Sequence, residues 1–97
     1  MSEADPGRDG SIPLVLTRDE AIVLLEFLAR TLDDGNGSRL REAVQHDGEI
    51  WALTRLQGYL ECILPEPFRD DYGAVLEAAR QRLVEKSGPW PWDEAKA

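Results

Sequence analysis

Hydrophobic positions recur at helical spacing most clearly between residues 17 and 33. They fall on one face of a helix, at Ala21, Leu25, Leu28 and Leu32. Thr17 and Glu20 stand before this face in the order of a capping box, in which each side chain accepts a hydrogen bond from the other residue's backbone amide. Gly35 and Gly37 then tolerate left-handed backbone. The pattern predicts a capped helix that begins after Thr17 and stops at the sequence DDGNG.

Val23 and Phe27 form a second apolar row on another side of this helix. A helix with apolar groups on two sides is usually covered on two sides. Either the helix runs through the middle of the fold, or Val23 and Phe27 meet another chain. We expect the first arrangement, because several short segments need a central helix to pack around. This arrangement places Phe27 in the core of the monomer.

The segment from residue 38 to residue 64 changes its buried face near Asp47-Gly48. A short helical segment after Ser38 has its apolar positions turned inward, at Leu40, Ala43 and Val44. The next stripe does not continue this one, and it contains Ile50, Leu53, Leu56, Leu60 and Ile63. We predict a break with Asp47 as the new N-cap, the alternative being one long helix whose buried face changes. Pro65 should end that helix, and Gly58 inside it suggests close approach of a neighbouring backbone.

The sequence LPEPFRDDY, residues 64–72, opens the last helix. Two interpretations compete: the hinge of a helical hairpin, or a ligand-gripping loop with acids beside an aromatic ring. One narrow helical stripe contains Phe68, Tyr72, Val75, Leu76, Ala79 and Leu83. We therefore favour the hinge, with Phe68 and Tyr72 as the first core residues of a helix that Ser87-Gly88-Pro89 closes. Acids fall on the far side of that helix, at Asp70, Glu77 and Glu85.

These segments together predict an all-α protein, a small bundle of three to four helices over residues 13–88. Residues 1–12 are polar and contain proline and glycine, which predicts a mobile N-terminal arm. PLVLT then predicts an extended approach segment or an edge strand. Residues 89–97 form a C-terminal tail in which Trp90 and Trp92 alternate with prolines. We expect the two tryptophans to fold back on the bundle, with docking on a partner as the alternative.

Composition and charge narrow the classes of partner. The chain has 97 residues, 42% of them hydrophobic and 31% charged, as in a single globular domain. A net charge of −8 with scattered bases argues against nucleic acid, and it favours a basic protein partner or serves solubility alone. Apolar runs are too short for a bilayer, and the first residues lack an apolar signal segment. With the single Cys62, these features predict a cytoplasmic protein without membrane contact.

Residue types that support catalysis or metal binding are sparse in the sequence. His46 is the only histidine, and Cys62 lies about a helix away from it. These two residues do not suffice for a transition-metal site. The sequence DDGNGS misses the calcium-loop pattern, because Leu32 and Ala43 would occupy ligand positions. We expect no enzyme, no metal site and no cofactor.

Two stretches that cover most of residues 14–84 resemble a known group of proteins. They are LTRDEAIVLLEFLARTL and EIWALTRLQGYLECILPEPFRDDYGAVLEAARQRL. A leucine-rich capped helix paired with EPF-x-DDY resembles small, acidic, helical bacterial proteins, many of them uncharacterised and some of which look like immunity proteins of polymorphic toxin systems. The resemblance implies tight binding of a cognate toxin, and the acidic surface suits a basic toxin domain through electrostatic steering. It transfers no catalytic or binding residue.

Two functions of different class are consistent with these features. The first is a non-enzymatic protein-binding module of the immunity type, whose partner is a basic toxin domain. The second is a homo-oligomeric helical protein with a structural or regulatory role, whose partner is another copy of itself, as in a homodimer. The candidate partner-binding residues are the second apolar row, the acids of the last helix and the tail tryptophans: Val23, Phe27, Asp70, Glu77, Glu85, Trp90 and Trp92.

Overall fold

The computed structural model describes residues 10–92, and within that range the protein is all helical. Three α-helices follow one another along the chain: α1 (Arg18–Leu28), α2 (Asp47–Ile63) and α3 (Tyr72–Ser87). No strand occurs in the described range, so PLVLT does not form an edge strand. The predicted all-α fold and small bundle are confirmed. Residues 1–9 of the predicted arm and residues 93–97 of the predicted tail lie outside the described range.

Helix α1 begins with the predicted capping box. The backbone amide of Glu20 donates to Thr17 Oγ1 over 3.1 Å, and the amide of Thr17 donates to Glu20 Oε1 over 2.8 Å. These two bonds satisfy donors that the first turn of a helix otherwise leaves without partners. The predicted apolar stripe is buried along its whole length: Ala21, Leu25, Leu28 and Leu32. Leu28 has no accessible surface and marks the centre of the core.

The last turn of this helix is wider than an α-helical turn. A π-helical segment, Ala29–Asp33, continues α1, and the hydroxyl of Thr31 donates to the carbonyl oxygen of Phe27 over 2.7 Å. The chain then takes positive φ angles at Gly35, Asn36 and Gly37, of 70°, 56° and 83°. The helix therefore stops where the sequence predicts, but apolar spacing does not predict the π-helical turn.

Helix α1 is the central element of the bundle, as expected. Both α2 and α3 pack on it, and they contact each other much less. Val23 is half-buried against the core, whereas the side chain of Phe27 is 42% exposed and lies beside the guanidinium of Arg30. The expected burial of Phe27 in the monomer core is wrong, because both neighbouring helices use the face that carries Leu25 and Leu28.

The predicted break before α2 is confirmed. A single 3₁₀ turn, Ser38–Leu40, replaces the expected short helix, and Ala43 is exposed instead of buried. The N-cap of α2 is His46, whose Nδ1 accepts from the amide of Gly48 over 2.9 Å. Asp47 is therefore the first helical residue and not the predicted cap. Histidine is not among the preferred N-cap residues, which explains why sequence reasoning chose its neighbour.

The inward face of α2 is less buried than its apolar stripe predicts. Leu60 is buried, Ile50, Leu53 and Leu56 are partly buried, and Ile63 is 68% exposed. A Cβ atom added at Gly58 would meet no atom within 4 Å, so the expected close approach of another backbone is wrong. Leu64 is extended, with φ −95° and ψ 121°, which confirms that Pro65 ends the helix.

The connection between α2 and α3 is a short hinge, as favoured, but the two helices contact each other little and do not form the packed helical hairpin that the sequence predicts. One 3₁₀ turn, Glu66–Phe68, precedes α3, which ends at Ser87 before Gly88 with φ 88°. Tyr72 is half-buried against the core, but the side chain of Phe68 is 87% exposed. The prediction of Phe68 as a core residue is wrong, because α3 begins only at Tyr72 and its helical periodicity does not extend back into the hinge.

The described part of the C-terminal tail leaves the bundle. Trp90 and Trp92 are 67% and 73% exposed, and their rings meet edge to face with centroids 6.4 Å apart. The expected folding back of these tryptophans on the bundle is wrong, since each covers the other and not the core. An edge-to-face pair of this kind stabilises the tail by about 1 kcal/mol.

Two arginine–carboxylate pairs join the first turn of α1 to the rest of the chain. Arg82 of α3 donates twice to Asp19, over 2.8 Å each. Arg18 donates from Nε and Nη2 to both carboxylate oxygens of Glu66, a hinge residue that is only 7% exposed. Hydrogen bonds from Arg18 hold the pKa of Glu66 below its usual value, although burial opposes this shift. The Arg18–Glu66 pair therefore anchors the hinge to α1.

We predict that Glu66→Gln lowers the free energy of unfolding at neutral pH by roughly 1 to 3 kcal/mol, because a bidentate charge-assisted pair is lost. The pKa of Glu66 is lowered on folding, so its stabilisation is complete above its usual pKa of 4.5 and disappears as the pH falls through the lower folded value. Urea unfolding between neutral and acid pH measures both effects. Glu85→Gln, which removes an exposed carboxylate, is the matched control. A Glu66→Gln curve that parallels wild type at every pH would contradict the anchor.

We also predict that Phe27→Asp keeps the fold, because the Phe27 ring is 42% exposed in the monomer. The cost should be roughly 1 kcal/mol or less, as for most surface substitutions. Circular dichroism, a thermal melt and light scattering on one preparation read helicity, stability and oligomeric state. Loss of helical structure would show that Phe27 belongs to the core after all.

Candidate functional site

A groove opens where all three helices come together. Its walls come from the end of α1, the end of α2, the hinge and the start of α3, and its cavity volume is about 280 Å³. We call it the hinge groove, and it is lined by Leu25, Glu26, Ala29, Glu61, Leu64, Pro67, Phe68 and Tyr72. It lies where Pro65 ends α2 and the chain turns into α3, so residues of the hinge form part of its wall.

The floor of the hinge groove is apolar. Leu25 and Leu64 belong to the buried core, and their surfaces close the bottom of the groove. Ala29, the first residue of the π-helical turn, adds a small side chain that leaves space above it. Phe68 forms part of the wall while 87% of its side chain remains exposed. A large aromatic ring in water beside an apolar floor is typical of a contact surface.

Carboxylates border this apolar floor. Glu26 and Glu61 lie on the α1 and α2 sides of the groove. Glu61 and Asp33 both accept from the buried amide nitrogen of Gln57, over 3.3 Å and 3.2 Å, so Asp33 extends the acidic border along the π-helical turn. Glu26 accepts from the hydroxyl of Tyr72 over 3.2 Å. The side chains that position these acids are neutral, so they leave the negative charges unneutralised.

Five of the eight arginines in residues 10–92 pair with other acids. Arg18, Arg39, Arg69, Arg80 and Arg82 form ion pairs with Glu66, Asp34, Asp71, Glu77 and Asp19 respectively. Within residues 10–92, none of these pairs involves Glu26, Asp33 or Glu61. The acidic border of the hinge groove is therefore a local excess of negative charge next to apolar surface. Such an excess attracts a basic group that brings its own apolar neighbours.

The surroundings of Tyr72 in the groove raise the pKa of its phenol. Burial raises its pKa from 10.0 to about 12, and the charge of Glu26 and its hydrogen bond with the phenol add to the shift. Arg80 opposes this shift, and Glu66 adds to it weakly. The phenol is therefore a neutral hydrogen-bond donor at physiological pH. Its position fixes the Glu26 carboxylate at the edge of the groove.

A larger cleft lies between the loop after α1 and the start of α2. Its volume is about 780 Å³, and Ser38, Arg41, His46 and Trp51 are among its lining residues. Nucleophilic catalysis needs a base hydrogen-bonded to the nucleophile. Among the hydrogen bonds of residues 10–92 none joins Ser38 to His46, whose Nδ1 is occupied by the Gly48 amide. Ser38 and His46 thus line the same cleft, which the sequence does not suggest, but no hydrogen bond of residues 10–92 joins them.

Cysteine and metal chemistry gain no support from the geometry. Cys62 is exposed near the end of α2, whereas His46 caps the start of this helix, roughly 24 Å away along its axis. In the part of the chain that the structure describes, no group of three or more His, Cys, Asp and Glu side chains could hold a metal ion. No helix of that part is long and apolar enough to cross a bilayer.

The residues predicted to bind a partner are exposed or half-buried, but they do not form one site. Phe27 packs with Arg30 on the uncovered side of α1, and Val23 is half-buried. Asp70, Glu77 and Glu85 are exposed on or before α3, where Glu77 already pairs with Arg80. The tail tryptophans pack on each other. None of these seven residues lines the hinge groove.

Sequence reasoning missed the residues of the groove itself. Glu26, Glu61 and Phe68 come from three separate segments, and only the packing of α2 and the hinge on α1 unites them. One signal was present in the sequence, namely the aromatic residue between two prolines and two acids in LPEPFRDD. The hinge interpretation is right for the backbone, whereas the rejected idea of an exposed aromatic beside acids describes the side chain of Phe68 better.

We predict that Tyr72→Phe flattens the loss of stability at alkaline pH. The pKa of Tyr72 is raised from 10.0 to about 12 in the folded chain. The free energy of unfolding should therefore stay constant while the pH is below 10.0 and should fall as the pH rises from there toward 12. The difference between wild type and Tyr72→Phe in this range should be roughly 1 to 3 kcal/mol. Urea unfolding on both sides of pH 10 provides the measurement. Tyr59→Phe, at a tyrosine that is 57% exposed, is the control. Equal alkaline losses in wild type and Tyr72→Phe would contradict the prediction.

Known proteins add no assignment to this geometry. Comparison of the chain with protein-family models, with curated proteins and with solved structures finds no match. The resemblance of the capped helix and of EPF-x-DDY to immunity-type proteins therefore stays a sequence-based expectation.

Proposed function

We propose that the protein is a non-enzymatic protein-binding module. The observation that carries this proposal is the amount of large apolar surface that the described bundle leaves in water, at Ile12, Leu14, Val15, Phe27, Trp51, Tyr59, Ile63, Phe68, Val84, Trp90 and Trp92. Isolated exposed apolar residues are ordinary on a protein surface. Tryptophan, tyrosine and phenylalanine, however, are enriched at protein interfaces relative to the rest of the surface. Aromatic anchors of this kind dominate the binding energy of protein complexes.

The charge of the chain supports a basic partner. The formal net charge is −8, and the carboxylates of the hinge groove have no cationic partner among residues 10–92. Complementary charge accelerates association and excludes acidic competitors. Together with the resemblance to immunity proteins, this favours a basic bacterial toxin domain that the chain neutralises by occupying its surface. A cytoplasmic, bacterial setting belongs to the same proposal.

A homo-oligomeric structural or regulatory role is the second candidate. Phe27 on the uncovered face of α1 and the paired tail tryptophans favour it, since each offers apolar area to another copy. Two chains that each carry a net charge of −8 repel one another, which opposes this role. Light scattering of the purified chain decides between a monomer, which the first candidate predicts, and a dimer.

The test of the proposed function begins with affinity capture from the cells that encode the chain, followed by reconstitution with the purified captured protein. We expect a stoichiometric complex with a basic protein, whose association rate falls steeply as salt rises. Neutralising Asp70, Glu77 and Glu85 together, as Asp70→Asn, Glu77→Gln and Glu85→Gln, should slow association more than it speeds dissociation. Co-expression of the chain should restore growth to cells that produce the captured protein.

Each part of the proposal has its own contradicting result. An association rate that changes neither with salt nor with the three replacements would contradict the proposal that the partner is basic. If co-expression of the chain does not relieve the growth arrest caused by the captured protein, the immunity role is contradicted, but the chain can still be a protein-binding module. Stable dimers with no complex at any salt concentration would favour the homo-oligomeric role.

A further inference from the structure

We propose that the hinge groove receives a basic amphipathic helix of the partner protein. This inference rests on the proposed function, because it names the site and the chemistry of the segment that is bound. Phe68, which α3 does not cover, and the carboxylates of Glu26 and Glu61 are its central contacts. Apolar residues at helical spacing fill the groove, and lysine or arginine residues on both sides of them meet the two acids.

The shape of the groove fits anchoring side chains better than a small molecule. Its volume of about 280 Å³ is at the lower limit of ligand pockets, which start near 300 Å³. The ring of Phe68, 87% exposed, stands at its edge and can pack against an incoming apolar side chain. Leu25 and Leu64 at the bottom belong to the core and cannot move aside without loss of stability. A preformed floor with an uncovered aromatic wall is the geometry that receives the apolar row of a helix.

The carboxylates at the border of the groove indicate that the bound segment is basic. Glu26 stands on the α1 side and Glu61 on the α2 side of the same groove. Gln57 and Tyr72 position the acids through neutral hydrogen bonds, so each carboxylate can still accept from a cation. Asp33 lies beside Glu61 and adds a further negative charge at that edge. A helix with an apolar row flanked by basic residues can therefore pack its apolar row on the floor and pair its basic residues with the carboxylates of the border.

Other occupants fit less well. The remaining parts of this chain, residues 1–9 and 93–97, contain more acids than bases and no large apolar residue apart from Met1. Trp90 and Trp92 follow α3, which starts at the groove and runs away from it over roughly 22 Å. A second copy would bring a net charge of −8 to an acidic border. A basic partner segment avoids all three difficulties.

The test uses a defined probe, so it does not depend on the identity of the partner. The probe is a fluorescent synthetic helix of leucine and lysine, with leucines spaced to form one face, and its leucine–glutamate counterpart serves as the negative probe. Fluorescence anisotropy gives Kd for the full chain at physiological salt. Each variant is first shown to be folded by circular dichroism and a thermal melt.

Two pairs of variants locate the binding site. Glu26→Gln with Glu61→Gln removes two charges from the groove, and Glu42→Gln with Asp47→Asn removes two exposed charges from the loop before α2 and its first residue. Phe68→Ala and Tyr59→Ala each remove one exposed ring, at the groove and on α2 outside the groove. We expect the groove pair and Phe68→Ala each to weaken lysine-probe binding by about tenfold, and the two controls by less than about twofold.

Four outcomes would overturn the inference, and the last of them leaves the proposed function standing. The first is a lysine probe that fails to bind wild type, or binds no better than the glutamate probe. The second is equal weakening by both charge pairs, which shows attraction to net charge alone. The third is a wild-type dimer that Phe68→Ala converts to a monomer, which makes a second copy the occupant. If the reconstituted natural partner binds the groove variants unchanged, the proposed function survives and the assignment of its site is wrong.

Discussion

The packing of two helices on one shared stripe of α1 is the constraint on which the structure depends. Leu28 at its centre has no accessible surface, and Leu25 and Leu32 beside it are nearly as buried. Helices α2 and α3 contact α1 far more than each other, so neither has a second support. Any change that displaces α1 would remove the common surface of both.

The open surfaces of the molecule are consequences of that arrangement. Because α2 and α3 contact each other little, the space between the end of α2, the hinge and the start of α3 becomes the hinge groove above α1. Arg18 anchors the hinge through the buried carboxylate of Glu66, which fixes the distance of Phe68 from α1. The π-helical turn, Ala29–Asp33, supplies a small residue to the floor and Asp33 to the border. The core thus determines both the shape of the groove and the positions of its acids.

Local signals predicted the fold, and they failed where the result depends on tertiary packing. The capping box at Thr17, the stop after Asp34 and the proline at the end of α2 are determined within a few residues, and all three are confirmed. Periodicity could not show that α3 begins too late to bury Phe68. Nor could it show that both neighbours of α1 choose the same face.

The candidate site was less predictable than the fold for the same reason. Glu26, Glu61 and Phe68 are separated by up to 42 positions and share no motif, so only their packing on α1 brings them together. Exposure of the tail tryptophans likewise depends on whether the bundle offers them a surface. Sequence alone therefore supports the class of a protein-binding module, and the geometry adds where such a partner would bind.

Amide hydrogen exchange of the free chain, followed residue by residue, tests most directly whether α1 holds the bundle together. Amides that exchange only through global unfolding should concentrate around Leu25 and Leu28, because opening α1 removes the support of both other helices. Amides of the non-proline hinge residues, Glu66 and residues 68–71, should exchange much faster through local opening. Strong protection shared by α2 and α3, with rapid exchange around Leu28, would contradict the account, since it would show a core that forms without α1.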